Sequence, residues 1–349
     1  MIRVAIADDS RTAQELLRSV LEQDRDIRVV GTAADGAEAV EMAADVKPDV
    51  ILMDVHMPRL NGFEATRRIM AQTPTPIVIV SSTSVIEEAR TALRSLEAGA
   101  LTIHVKPPAP TDPHFDKVSR DLLLTVKAVA DVRVVRRRPI AMPDATGDVE
   151  FECGGAGGGS RPEVVAIAAS TGGPKALVSI LSTLPAHFAV PVLVVQHIAT
   201  GFTQALAQWL DGCTPLAVKL AEHGESLRPG TVYLAPEEAH LGVSAQRTLV
   251  VDDQTPAILG FRPSATYLFR SVGEVFGKRA LAVILTGMGR DGVEGLQVVK
   301  RAGGEVMAQD EQTSVVFGMP AAALSAGVVD RVLPLDGIAE CLKRRIGSR

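Results

Sequence analysis

The chain has 349 residues, of which 46% are hydrophobic and 22% are charged, and this length and apolar content predict two folded domains and exclude a disordered chain. Its formal net charge of −5 gives no general attraction to nucleic acid or anionic lipid, so neither is an expected partner. The opening apolar run stops at Asp8 and Asp9. It is too short for a signal peptide or a membrane span, so we expect a cytoplasmic protein without membrane insertion.

The first 130 residues alternate short apolar runs with amphipathic stretches of helical period, a pattern typical of a doubly wound parallel α/β sheet. The predicted strands cover residues 4–7, 29–32, 50–53, 77–80 and 101–105. Residues 131–162 differ, because they contain the run Arg136-Arg137-Arg138-Pro139 and a glycine-rich segment before Ser160. We interpret them as a flexible interdomain linker, and the arginine run as solvated rather than as a nucleic-acid arm.

The same alternation resumes from residue 163, with predicted strands at 164–168, 190–196, 280–285 and 305–307. Residues 163–349 are therefore predicted to form a second doubly wound α/β domain. The predicted organisation is a domain of residues 1–130, the linker 131–162 and a domain of residues 163–349.

Charged and hydroxyl side chains follow four separate strands of the first domain: Asp8 and Asp9, Asp54, Ser81 and Lys106. Ligands of such sheets bind outside the carboxyl ends of the strands, so we expect these side chains to converge there. Three carboxylates beside an ammonium suit Mg²⁺ and a phosphoryl group, with Asp54 as the acceptor of that group.

Residues 1 to about 127 resemble the response regulator receiver family, in Ala7-Asp8-Asp9-Ser10, Met53-Asp54-Val55-His56-Met57-Pro58, Asn61-Gly62 and Val105-Lys106-Pro107. The resemblance implies a CheY-like receiver fold, phosphorylation of Asp54 by a histidine kinase, and Mg²⁺ held by Asp8, Asp9, Asp54 and the backbone carbonyl of His56. It also implies that Ser81 and Lys106 contact the phosphoryl group. Ile103 stands where this family commonly has an aromatic residue that relays the signal, which leaves the relay open.

The second domain places a serine, a histidine and an aspartate after strands: Ser170 at a strand-to-helix turn before Gly172, Gly173 and Pro174, then His197 and Asp291. A nucleophile, a general base and an orienting carboxylate at adjoining strand ends are typical of a serine hydrolase. His223 and His240 are weaker candidates for the base, because neither ends a comparable apolar strand.

The stretch Gly287-Met288-Gly289-Arg290-Asp291-Gly292 also spells GxGxxG after a strand, and Asp310 follows about 20 residues later. On the residues alone, a receiver fused to a dinucleotide-binding module is therefore a hypothesis comparable with hydrolysis.

Residues 163 to about 346 resemble the catalytic domain of the chemotaxis protein-glutamate methylesterase family, CheB, in Ala169-Ser170-Thr171-Gly172-Gly173, Val195-Gln196-His197, Gly201-Phe202-Thr203, the stretch from Leu285 to Gly292, and Val316-Phe317-Gly318-Met319-Pro320. The resemblance implies a Rossmann-like domain without a cofactor, in which Ser170 is the nucleophile, His197 the base and Asp291 its partner. It places Thr171 near the site and makes the Met288 N–H an oxyanion donor.

The implied activity is hydrolysis of glutamyl methyl esters on methyl-accepting chemotaxis receptors, with deamidation of receptor glutamines as a second reaction. The implied regulation is coverage of the active-site edge by the unphosphorylated receiver, relieved by phosphorylation from a chemotaxis histidine kinase.

Overall fold

The computed structural model describes residues 1–81, 86–130, 132 and 160–347. Apart from 132 and 160–162, the predicted linker and its arginine run lie outside the described residues. The chain contacts divide the protein into two compact units, each with its own parallel sheet. None of the helices in the described ranges combines the length and apolar character that crossing a membrane requires.

Within its described residues, the first unit has five strands and five helices in strict alternation, as the sequence predicts. The strands are β1 (Ile2–Ala7), β2 (Ile27–Ala33), β3 (Val50–Met53), β4 (Ile77–Ser81) and β5 (Thr102–Val105). The helices are α1 (Arg11–Leu21), α2 (Gly36–Val46), α3 (Gly62–Gln72), α4 (Ile86–Ala98) and α5 (Phe115–Ala130). All four strand pairings are parallel, in the order β2-β1-β3-β4-β5, and this confirms the predicted fold class.

Capping side chains begin the first three helices of this unit directly after strand-end loops. Ser10, Asp35 and Asn61 each accept a hydrogen bond from a backbone N–H of the first turn of α1, α2 and α3 respectively. Such caps satisfy donors that have no partner within the helix. The helices therefore start at the carboxyl edge of the sheet, where the predicted site residues lie.

The second unit is larger and adds elements that the periodicity did not predict. Its strands are β6 (Val164–Ala169), β7 (Val192–Gln196), β8 (Ala217–Leu220), β9 (Thr231–Leu234), β10 (His240–Val243), β11 (Leu249–Asp252), β12 (Ala280–Ile284), β13 (Glu305–Gln309) and β14 (Arg331–Leu333). Its helices are α6 (Gly173–Leu181), α7 (Thr203–Cys213), α8 (Ala265–Phe276), α9 (Val293–Arg301), α10 (Met319–Ser325) and α11 (Leu335–Ile346). Strands β10 and β11 form a separate antiparallel pair.

The main sheet of the second unit has seven parallel strands in the order β14-β13-β12-β6-β7-β9-β8. From β6 the chain continues to β7 on one side, followed outward by β9 and then β8, and later returns to β12 on the other side, followed outward by β13 and β14. The carboxyl ends of β6, β7 and β12 therefore border the switch point, where ligands of doubly wound sheets bind. The core is apolar, and every residue of these three strands is buried.

Candidate active site and acidic cluster

Three carboxylates of the first unit meet at the carboxyl edge of its sheet. Strands β1 and β3 pair side by side to their last residues, Ala7 and Met53, so the residues that follow them are neighbours. One carboxylate oxygen from each of Asp8, Asp9 and Asp54 lies within 4.8 Å of the other two. The sequence predicted this convergence.

Lys106 reaches into this acidic cluster from the end of β5. Its Nζ atom lies 2.8 Å from Asp8 Oδ2 and 2.9 Å from Asp54 Oδ2. Burial of Lys106 would lower its pKa, but the hydrogen bonds to Asp54 and Asp8 outweigh burial and raise the pKa. The ammonium group is therefore fixed in its charged form between two carboxylates.

The positive charge of Lys106 stabilises the ionised Asp54 carboxylate only in part. Burial raises the pKa of the Asp54 carboxyl, and the Asp8 charge adds to this, while the bonds from Lys106 and the Val55 N–H offset it only in part. A divalent cation fits the set, because three carboxylates are hard oxygen ligands whose mutual repulsion a metal relieves.

The other receiver residues singled out in the sequence lie around this cluster. Ser81 is buried at the end of β4, and its carbonyl accepts the Lys106 N–H at 3.0 Å. His56 is exposed in the loop after β3. Ile103 is buried in the middle of β5, the strand that directly precedes Lys106.

In the second unit, Ser170 occupies a tight turn between β6 and α6. Its N–H donates to the Thr286 carbonyl at 3.0 Å, and its own carbonyl accepts the Gly173 N–H at 2.8 Å. Gly172 has φ +80°, a conformation that side-chain-bearing residues rarely adopt. The turn tethers Ser170 to the loop after β12, and glycine makes its backbone path possible.

His197 follows β7 and is tied to the same edge. Its N–H donates to the Ala169 carbonyl at 2.8 Å. The buried side chain of Gln196 uses one amide group, Nε2, to donate to the carbonyls of both Ser170 and His197, each at 2.8 Å. Gln196 thus links the backbones of the nucleophile and base candidates, a role that the motif Val195-Gln196-His197 did not predict.

Residues at the start of α8 hold the Asp291 side chain in place through hydrogen bonds. Its Oδ1 accepts from the Ser264 hydroxyl at 2.7 Å and the Thr266 N–H at 3.1 Å, and its Oδ2 accepts from the Ala265 N–H at 2.7 Å. His197 Nε2 lies 3.0 Å from the same Oδ2. The sequence pattern did not point to the start of α8, because Ala265 is 26 residues away from Asp291 along the chain and the two meet only in the folded protein.

The environment of Asp291 maintains its negative charge. Burial alone would raise its pKa, but hydrogen bonds and the charge interaction with His197, together with the donors at the start of α8, lower it to about 2. A carboxylate that stays ionised fixes one nitrogen of the imidazole. Both imidazole nitrogens are buried without an assigned hydrogen bond among the described residues, but Nε2 faces the Asp291 carboxylate at 3.0 Å, so Nδ1 is the one available to accept a proton.

An aromatic side chain completes the surroundings of the imidazole. The ring of Phe261 stacks on the ring of His197, with centroids 4.1 Å apart and planes 5° from parallel. The Phe261 side chain comes from the loop between β11 and α8, and no sequence motif pointed to it.

The competing histidines have other partners. His240 is fully buried, with Nδ1 accepting from the Ser264 N–H at 3.1 Å and Nε2 lying 3.1 Å from the Pro256 carbonyl. This pattern requires a neutral ring and leaves neither nitrogen for catalysis. His223 Nδ1 lies beside Val251, where it accepts that residue's N–H at 3.3 Å.

The glycine-rich stretch after β12 packs against the serine turn. A Cβ at Gly287 would lie 2.6 Å from the Cβ of Ser170, so only glycine fits there. The Gly292 N–H at the start of α9 donates to Thr266 Oγ1 at 2.9 Å, and Asp310 accepts from the Thr313 hydroxyl and N–H. The helix-start N–H of Gly292 and the carboxylate of Asp310, which a dinucleotide would need, thus already have partners within the protein.

Two N–H groups beside the serine have no such partner. Within the described part of the chain, the N–H groups of Thr171 and Met288 donate to no assigned acceptor. Thr171 is buried, and its carbonyl accepts from Thr286 Oγ1 at 2.9 Å. Such unpaired donors beside a nucleophile suit an oxyanion.

Comparison with known proteins gives matches along nearly the whole chain. The family model described as CheB methylesterase matches residues 165–342, and the model described as response regulator receiver domain matches residues 4–113. A Myxococcus xanthus protein named protein-glutamate methylesterase/protein-glutamine glutaminase 4 is 50% identical over 98% of this chain and 96% of its own length. An Anaeromyxobacter dehalogenans relative of the same name, numbered 3, is 47% identical over 98% of both chains.

A solved structure matches the second unit. The crystal structure of the Thermotoga maritima CheB methylesterase catalytic domain is 42% identical, with a TM-score of 0.51, and the match covers 53% of this chain and 99% of that one.

Proposed function

This chain belongs to the CheB methylesterase family and carries a response regulator receiver domain, and from this premise we propose that it is a phosphorylation-activated protein-glutamate methylesterase. Its substrates are glutamyl methyl esters on methyl-accepting chemotaxis receptors, and it also deamidates receptor glutamines. The observation that carries the proposal is the buried pair of Asp291 and His197, 3.0 Å apart, beside the turn that holds Ser170.

The proposed mechanism begins with attack of Ser170 Oγ on the ester carbonyl. His197 takes the hydroxyl proton at Nδ1 and then gives it to the departing methoxide, so methanol leaves and a glutamyl ester of Ser170 remains. Water, deprotonated by the same imidazole, hydrolyses that ester and restores the glutamate. Asp291 stabilises the imidazolium, and the N–H groups of Met288 and Thr171 stabilise the oxyanion.

Deamidation follows the same route with a different leaving group. The Ser170 oxygen attacks the glutamine carbonyl, the protonated imidazole of His197 donates to nitrogen, and ammonia departs. Hydrolysis of the acyl-enzyme again yields glutamate. Both reactions therefore need the same three side chains.

The receiver is proposed to accept a phosphoryl group on Asp54 from a chemotaxis histidine kinase. Mg²⁺ would be held by Asp8, Asp9, Asp54 and the backbone carbonyl of His56, and when bound it would neutralise charge on the phosphoryl oxygens. Lys106 and Ser81 would contact the phosphoryl group. The meeting of three carboxylates at the sheet edge, with Lys106 Nζ within 2.9 Å of Asp8 and Asp54, supports this assignment.

The proposed domain organisation remains a receiver of residues 1–130, a linker of residues 131–162 and a catalytic domain of residues 163–349. Receptor helices that carry the methyl esters lie in the cytoplasm, so we place the reaction there. Inhibition by the unphosphorylated receiver predicts that residues 163–349 alone work faster than the unphosphorylated whole chain. Equal rates would exclude inhibition by coverage.

The test is methanol release from methyl-labelled receptor membranes by the purified whole chain, with and without a small-molecule phosphodonor and Mg²⁺. Release stimulated by the phosphodonor is expected. Ser170→Ala should cut release by a factor on the order of 10⁶, whereas Ser182→Ala, an exposed serine at the end of α6, should not change it. Unchanged release from Ser170→Ala would eliminate Ser170 as the nucleophile.

A further inference from the structure

The ring of Phe261 makes a face-to-face contact with the imidazole of His197. The centroids are 4.1 Å apart and the planes differ by 5°, so the two rings are in van der Waals contact over their faces. The mechanism above uses only the edges of the imidazole, where its nitrogens lie. The stacked face is a separate constraint on the same ring.

A rigid turn holds Phe261 in this position. The backbones of Ile258 and Phe261 exchange two hydrogen bonds, of 3.1 and 3.0 Å. Between them, Leu259 and Gly260 both have positive φ, +52° and +84°, which is the geometry of a tight hairpin turn. The backbone of Phe261 is therefore fixed independently of its side-chain contact.

The next residue anchors this turn to neighbouring loops. Arg262 donates through Nη1 to the Asp253 carbonyl at 3.0 Å and through Nη2 to Glu238 Oε2 at 3.2 Å. The turn is thereby tied to the loops that follow β9 and β11. Such ties restrict the turn, and with it the plane of the Phe261 ring.

His197 needs such a constraint, because its contact with Asp291 fixes only one point of the ring. The imidazole can still tilt about the line from Nε2 to the Asp291 carboxylate, and a tilt moves Nδ1 away from the proton it must accept. A flat ring stacked on one face opposes the tilt. The electron-rich face also favours the imidazolium that forms as the proton arrives.

We propose that Phe261 is a positioning residue of this esterase, which holds the imidazole of His197 in the plane that directs Nδ1 to the reacting serine. The proposal rests on the proposed function, since it assigns a role within that reaction. The observed contact of Phe261 is with the face of the imidazole, whereas proton transfer uses the nitrogen edge, so Phe261 acts through His197. Its loss should therefore lower kcat and leave KM unchanged.

The test compares Phe261→Leu, Phe261→Tyr and Leu259→Asn in the whole chain. Phe261→Leu keeps an apolar side chain without a flat ring, and we expect kcat for methanol release to fall by about tenfold with KM unchanged. Phe261→Tyr keeps the ring and should retain the wild-type rate. Leu259→Asn changes the exposed tip of the same turn, at a positive φ that asparagine tolerates, and should also keep it.

A spectroscopic measurement reads the stack without catalysis. In the protein labelled at histidine, the ring protons of His197 should be shifted upfield by the Phe261 ring current, with His197→Gln identifying the signals. Phe261→Leu should remove the upfield shift, and Phe261→Tyr should keep it. If circular dichroism shows that Phe261→Leu does not fold, Phe261→Met replaces it as the variant without a ring.

Three results would overturn the proposal: an unchanged kcat in the ringless variant, a tyrosine variant as slow as the ringless one, or an effect confined to KM. Absence of the ring-current shift in the wild type would also overturn it. Failure of the proposed function looks different, because the wild type would then release no methanol, or Ser170→Ala would release it as fast as the wild type. Failure of this inference alone leaves Ser170→Ala inactive and Phe261→Leu active.

Discussion

Asp54 in the first unit and Asp291 in the second are both buried carboxylates at the carboxyl edge of a parallel sheet, with exposed fractions of 6% and 1%. Their pKa values nevertheless move in opposite directions. Burial raises the pKa of Asp54, and one shared lysine does not compensate. Burial also acts on Asp291, but His197 and the donors at the start of α8 outweigh it and lower the pKa to about 2.

The difference lies in the number and kind of partners rather than in depth. Asp291 accepts from a hydroxyl and two backbone N–H groups besides its contact with His197, so its charge is permanently stabilised. Asp54 shares Lys106 with Asp8, so its stabilisation is incomplete until positive charge is added. The arrangement around Asp291 suits a fixed electrostatic partner, and the arrangement around Asp54 suits a group whose charge changes on phosphorylation.

The contrast is tested by the same isosteric change, aspartate to asparagine, first at Asp291 and then at Asp54. Asp291→Asn should lower kcat on the order of 10⁴-fold, because an amide presents the wrong group to His197 and leaves the imidazolium unstabilised. Methanol release by the purified chain measures the change. Asp252→Asn, which also removes a carboxylate with hydroxyl and backbone donors, is the matched control and should keep the rate. A loss below tenfold would show that Asp291 is not the partner of the base.

Asp54→Asn should leave the basal rate unchanged and abolish stimulation by the phosphodonor, because the acceptor oxygen is lost. Coupling energies between sites typically correspond to about 5- to 150-fold, and this whole factor should disappear. The measurement is the ratio of methanol release with and without phosphodonor in Mg²⁺. Asp45→Asn, an exposed aspartate of α2, should keep the wild-type ratio. Residual stimulation in Asp54→Asn would show that another residue accepts the phosphoryl group.

The permanent charge of Asp291 predicts a pH dependence of stability. Its folded pKa of about 2 lies below the usual 3.8, so its contribution is fully present above about pH 4 and is lost as the pH falls towards 2. The contribution corresponds to about 2 kcal/mol. Denaturant unfolding of the wild type and Asp291→Asn at pH 5 and pH 2.5 should show their difference shrinking at the lower pH. A difference that does not change with pH would contradict the lowered pKa.

Gln196→Met probes the neutral hydrogen bonds of the proposed catalytic site, which take the place of the clustered charges around Asp54. The change removes the amide that joins the Ser170 and His197 carbonyls and keeps the side-chain length. We expect kcat to fall by about tenfold, because small displacements between nucleophile and base are costly. Gln297→Met, an exposed glutamine of α9, is the control. An unchanged kcat in Gln196→Met would show that the two backbones are positioned without this link.

The sequence alone determined the alternation of strands and helices and the residues at strand ends, because both are local properties. The apolar runs gave β6, β7, β12 and β13 to within two residues, and the structure places the first five strands as predicted. Strands β8 to β11 escaped prediction because they follow one another without intervening helices, so the alternation of strand and helix that identified the other strands is absent there, and β14 has only three residues.

The sequence likewise provided Ser170, His197 and Asp291, and also the acidic cluster with Lys106, since each residue lies directly after a strand or in the loop that follows one, and parallel strands end at one edge. Only the tertiary structure decided what surrounds them. The donors of Ser264 and α8, the ring of Phe261 and the two bonds from the Gln196 amide depend on which loops pack together. The opposite pKa shifts of Asp54 and Asp291 follow from those long-range contacts, because a buried charge is stabilised by its three-dimensional partners and not by its neighbours in the chain.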